Sequence, residues 1–134
     1  MLCRLTVENY ALIDRLDIEF AAGLNIITGE TGAGKSILLG ALGLVLGARA
    51  DAAAIKDLGR NCVVEAEFDV RGYGLEPLFG SLVVAYAERT VVRRVITPAG
   101  KSRAYVNDLP VQLTALREIG VRLIDIHSQH QTLL

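Results

Sequence analysis

Leu24-Asn25-Ile26-Ile27-Thr28-Gly29-Glu30-Thr31-Gly32-Ala33-Gly34-Lys35-Ser36-Ile37-Leu38-Leu39-Gly40-Ala41-Leu42-Gly43-Leu44-Val45-Leu46 decides the fold. Leu24–Thr28 has the character of a short buried strand. It runs into Gly29–Ser36, which satisfies G-x-x-x-x-G-K-[ST] at every fixed position. Ser36–Leu46 reads as a helix leaving that loop. Glycine lets the backbone form a nest of N–H groups that converge on the β-phosphate of a nucleotide. The following helix aims the positive end of its dipole at the same place. Lys35 is placed to reach the β- and γ-phosphates and the Ser36 hydroxyl to ligate magnesium. The expected nucleotide-binding residues are therefore Gly29, Glu30, Thr31, Gly32, Ala33, Gly34, Lys35, Ser36 and Ile37, with ATP and Mg²⁺ as the ligands.

The remaining 111 residues must build a scaffold around this stretch. A chain of 134 residues is one domain's worth. It is 51% hydrophobic with a formal charge of −1, so no global basic field announces a polyanion and any such contact must be local. The apolar content is high for a small free-standing domain, which suggests that part of the surface is covered by something else. Cys3 and Cys62 form no C-x-x-C pair and read as reduced core thiols of a cytoplasmic protein. Charges at Arg4, Glu8, Asp14, Arg15, Asp17 and Glu19 exclude a signal peptide. Ile37–Ala48, the longest apolar run, is too short to span a membrane.

Period-two alternation marks strands at Leu2–Asn9, Leu16–Phe20 and Asn61–Val70. The helix from Gly34 to Leu46 is apolar on every side and is expected to be buried. Gly40 and Gly43 within it imply close packing against the sheet, and Gly47 suits its C-terminal cap. A short helix is expected within Gly72–Glu88. Val91–Thr97 and Ser102–Val106 flank Pro98-Ala99-Gly100-Lys101 as a β-hairpin. Asn107–Pro110 reads as a turn, with Pro110 opening a helix to about Ile119. Val121–Ile126 then reads as a strand, and His127–Gln131 as a polar loop. An early antiparallel group after a phosphate loop differs from the regular strand–helix alternation of nucleotide kinases. It points to the ATP-binding-cassette (ABC) branch of P-loop NTPases: an α/β fold, a mixed sheet with an antiparallel β subdomain.

Hydrolysis requires a carboxylate at the end of an apolar strand, and usually a neighbouring glutamate to polarise water. Leu123-Ile124-Asp125 is the one candidate, but Arg122 interrupts the apolar run and Ile126-His127 follow where a second carboxylate belongs. No L-S-G-G-[QE] signature occurs. Residues 1–134 therefore read as the N-terminal lobe only of an ABC-type head. A self-sufficient kinase or NTPase using Asp125 is the competing reading. A non-catalytic, ATP-dependent interaction module is the third.

Leu5–Ile13, Thr28–Ser36 and Leu46-Gly47-Ala48-Arg49-Ala50-Asp51 resemble the RecN family of bacterial DNA-repair ATPases. So do Arg93–Ile96, Ser102–Asn107 and Asp125–His130. The resemblance implies an SMC-like head, divided into two halves joined through a coiled coil, of which this is the first. It implies Gln129 as the Q-loop ligand to magnesium beside Ser36, with Gln131 the alternative. It also implies the C-terminal half of the same head, a second head sharing sandwiched ATP, and DNA as partners. ATP binding and hydrolysis would drive head engagement in double-strand break repair and recombination, in the cytoplasm and on the nucleoid after DNA damage. His127 and His130 lack companions for a metal site and read as loop residues.

Arg89, Arg93, Arg94, Lys101 and Arg103 form a local cationic run with no acid among residues 89–103. Such clusters neutralise phosphates, which makes Arg93, Arg94, Lys101 and Arg103 candidates for DNA contact. Alternation nevertheless sends Arg93 and Arg94 to opposite faces of a strand. Arg49 is a further DNA candidate by the resemblance, and otherwise a partner for the helix dipole. Tyr10 and Tyr105 read as packing residues.

Overall fold

The computed structural model describes residues 1–20 and 32–132, and the side chains of residues 1–20 and 37–123. Six strands form one sheet: β1 (Leu2–Tyr10), β2 (Ile13–Glu19), β3 (Cys62–Asp69), β4 (Arg89–Ile96), β5 (Ser102–Val106) and β6 (Leu109–Val111). Their spatial order is β2-β1-β3-β4-β5-β6. Every pairing among the described residues is antiparallel. The expected strand Leu24–Thr28 lies outside the described residues, as does Gly29–Thr31. Among the described residues the helices are α1 (Gly32–Val45), α2 (Glu76–Ser81) and α3 (Leu113–Thr132), and a 3₁₀ turn covers Ala52–Ala54.

Alternation separates the two sheet faces cleanly. Leu5, Ala66, Val92 and Val106 are register partners across four strands, and all are buried. Their sequence neighbours face outward and carry ion pairs. Arg4 meets Asp17 at 2.5 Å, Arg15 meets Glu8, and Arg93 meets Glu65 at 3.8 Å. The inner face packs against α1, which contacts β1, β3 and β4, while α3 contacts β5. α2 closes one end of the core with Phe79, fully buried and edge-on to Tyr86 at 5.5 Å.

Helix α1 is not enclosed on all sides. Ala41, Leu44 and Val45 are buried, but Leu39 is 44% exposed, because among the described residues the sheet covers only one side of it. Close packing accounts for Gly40, where an added Cβ would lie 2.5 Å from the Tyr10 hydroxyl. It does not account for Gly43, where a Cβ would meet Ala48 at an ordinary 3.7 Å.

The C-terminal part differs from the sequence expectation. Asn107 and Asp108 have φ of 51° and 66°, the signature of a two-residue type I′ turn, and β6 pairs back onto β5. Pro110 thus sits on an edge strand, where its missing N–H costs nothing, and does not open a helix. α3 instead runs unbroken through the expected strand Val121–Ile126 and the expected loop His127–Gln131. Leu116, Ile119, Gly120 and Leu123 are buried at i, i+3, i+4 and i+7, a helical stripe.

Candidate nucleotide site and the anchoring of its helix

Helix α1 begins at Gly32, so Gly32, Ala33 and Gly34 of the phosphate-loop motif form its first turn. The first N–H groups of a helix have no intrahelical partner and carry its positive dipole end. Among the described residues no carboxylate occupies that turn, so its backbone suits a polyphosphate ligand. The side chains of Lys35 and Ser36 lie outside the described residues. Ile37 follows on the helix and is half-buried.

The opposite end of α1 is built with more hardware. Gly47 has φ 103°, Ala48 N–H donates to the Gly43 carbonyl at 2.9 Å, and Gly47 N–H to the Leu44 carbonyl at 3.2 Å. These bonds are a Schellman cap, with glycine where a left-handed conformation is required. Arg94, reaching up from the inner face of β4, donates through Nη1 to the carbonyls of Leu44 (2.7 Å) and Ala48 (2.9 Å). Its Nη2 donates to Ser102 Oγ at 2.7 Å. Arg117 of α3 donates through Nε to the Gly47 carbonyl at 3.1 Å. At Gly120 the backbones meet so closely that an added Cβ would stand 2.8 Å from the Leu46 carbonyl carbon.

Of the expected DNA contacts, Arg94 is corrected by the fold: it is completely buried and cannot join a surface patch. Burial lowers its pKa, with Arg117 adding like-charge repulsion. Arg93 faces outward as alternation requires, stacked 4.6 Å over the Tyr105 ring and paired to Asp108 at 3.1 Å. Arg89 approaches Glu67 at 3.6 Å. The acids missing from the local sequence thus arrive from β3 and the hairpin turn. Arg49, Lys101 and Arg103 are exposed, and no carboxylate among the described residues lies within ion-pair distance of them.

Asp125 is helical, not at the end of a strand, which removes the geometry that a magnesium-holding strand carboxylate needs. Gln129 and Gln131 lie in the last turns of α3 rather than in a loop; their side chains fall outside the described residues. A concavity of about 370 Å³ crosses the outer sheet face between Arg4, Glu8, Arg15, Asp17, Glu65 and Glu67, but it lies on the face away from α1. No group of three or more metal-ligating residues exists among the described residues, and no described helix is long and apolar enough to cross a membrane.

Sequence reasoning missed the parts that hold the site. Arg94 was legible as an inward position of an alternating strand, since Val92 and Ile96 flank it at spacing two. Asn9 was less so. It is buried at φ 57°, donates to the carbonyls of Asp57 (2.9 Å) and Arg60 (3.1 Å), and accepts from Asp57 N–H at 2.7 Å.

The family model of the AAA domain matches residues 4–108. The whole chain is 35% identical to the DNA repair protein RecN of Xylella fastidiosa and 41% identical to that of Halalkalibacterium halodurans. It spans about a quarter of the length of these relatives, 25% and 24%. A structure solved in work on ATP-driven dimerization and DNA-stimulated activation of SMC ATPases superposes with a TM-score of 0.70. It is 19% identical and aligns over 92% of this chain and 79% of its own. The described residues share the fold of that structure.

Proposed function

The chain belongs to the AAA domain family, and from that premise we propose that it is the ATP-binding N-terminal lobe of an SMC-like ATPase head acting in DNA double-strand break repair. The nucleotide part of this reading is carried by the first turn of α1, made from the glycines of the phosphate-loop motif, and the repair part by the likeness to the DNA repair protein RecN. Lys35 would bind the β- and γ-phosphates, while Ser36 and Gln129 would hold magnesium. The metal would supply charge neutralisation at the phosphates. The carboxylates and signature motif needed for hydrolysis would come from the C-terminal half of the same head and from a second head. That arrangement fits a chain spanning a quarter of its relatives. Work would be done in the cytoplasm on nucleoid DNA, and of the candidate contacts Arg49, Lys101 and Arg103 are exposed with no carboxylate among the described residues paired to them.

Replacing Lys35 by alanine should abolish ATP binding, read by equilibrium titration, while leaving the melting transition in place. Undiminished affinity in a folded Lys35→Ala protein would overturn the assignment.

A further inference from the structure

We propose that Arg94 is a positioning residue for the nucleotide site, fixing the far end of α1 and, through that helix, the phosphate loop. This rests on the nucleotide reading above. Arg94 shares an inner row of the sheet with Val7, Val64 and Ala104, all buried. An apolar side chain there would avoid the desolvation of a guanidinium, so a charge at this position is stabilised by something specific. Its Nε has no hydrogen-bond partner, so the residue bears a polar cost beyond the charge itself.

Satisfaction of the helix carbonyls does not explain it. The Leu44 carbonyl already accepts from Gly47 N–H, and the Schellman pair closes the helix without help. What Arg94 adds is a tie between elements: one guanidinium joins β4, the end of α1 and, through Ser102, the start of β5. α1 has no basic residue in its own last turn, so the negative end of its dipole is met by cations from β4 and α3. The helix has 14 residues, about 20 Å at 1.5 Å each. Arg94 is therefore far too distant to touch a nucleotide. A helix held at one end by a forked bond and by the Arg117 and Gly120 contacts transmits its anchor position to its other end.

The test measures MgATP affinity and melting of the intact protein in Arg94→Met and Arg94→Lys variants. Arg94→Met should melt cooperatively and bind MgATP about tenfold more weakly. Arg94→Lys keeps the charge but cannot reach the helix carbonyls and Ser102 together, so it should lose only about threefold. Wild-type affinity in folded Arg94→Met would overturn the proposal. If Arg94→Met does not fold, Arg94→Lys decides: a threefold loss supports positioning, and wild-type affinity refutes it. An unmodified protein that binds no MgATP would instead sink the nucleotide reading itself.

Discussion

Arg93 and Arg94 are adjacent, identical in chemistry and opposite in fate. The first lies on a tyrosine ring between carboxylates; the second is sealed under a helix. The alternation of β4 makes this division, since successive side chains point to opposite faces. Side-chain volume is equally decisive where α1 meets α3. Gly120 presents no Cβ, and Leu46 occupies the space that one would take, with backbone atoms that cannot swing aside. Gly120→Ala should therefore lower stability by about 1–3 kcal/mol, the usual cost of overpacking, despite alanine's better helix propensity. Denaturant unfolding of the two proteins checks it, and an unchanged midpoint would show that the helices can separate freely.

At the scale of elements, the β5–β6 turn and α3 are where sequence and structure part. Val121–Ile126 is a short apolar run broken only by Arg122 and Asp125, as a buried strand can be, yet Leu123 continues a helical stripe begun at Leu116. A six-residue apolar run does not separate strand from helix; the longer window from Leu116 to Leu123 fits only the helix. The turn was legible as a turn but not as a hairpin, because the bonds that specify it are remote. Asn107 accepts from Val91 N–H and donates to the Ala85 carbonyl, each at 2.9 Å, while holding a left-handed φ. Asn107→Ala should cost about 1–3 kcal/mol by losing both bonds and adding backbone strain. Asn107→Gly, which loses the bonds but tolerates the φ, should cost less. Equal losses in the two variants, measured by unfolding midpoints, would remove the conformational share of that argument.

For the whole molecule, the outer sheet face is a lattice of exposed ion pairs, and Asp69, Asp17 and Asp14 among them are held below the usual carboxylate range. Hydrogen bonds from Arg71 bring Asp69 down to about 2. Arg4 lowers Asp17 and Lys56 lowers Asp14 in the same sense. A folded pKa below the unfolded value contributes stability above the unfolded pKa, and that contribution is lost as pH falls through the folded one. Melting temperature should thus be insensitive to these groups near neutrality and decline as pH falls from the ordinary aspartate value of 3.8 towards about 2. Solvent screening keeps the amplitude small. Asp69→Asn should flatten the acid limb of a melting curve recorded against pH; an unchanged limb would show that the Arg71 contact contributes nothing to it.

The sequence by itself determined the phosphate-loop motif, the face assignment of four strands and the glycine cap of α1, because these depend on short-range periodicity and on backbone conformations few residues adopt. Tertiary structure alone decided which cations are free and which are paired, since the acids that neutralise Arg89 and Arg93 come from β3 and the turn at Asp108. It also decided that the helix bearing the phosphate loop is held from its far end. Arg94, Arg117 and Gly120 are separated from that end by dozens of residues in the chain, and only packing brings them against the neighbouring carbonyls of Leu44–Ala48.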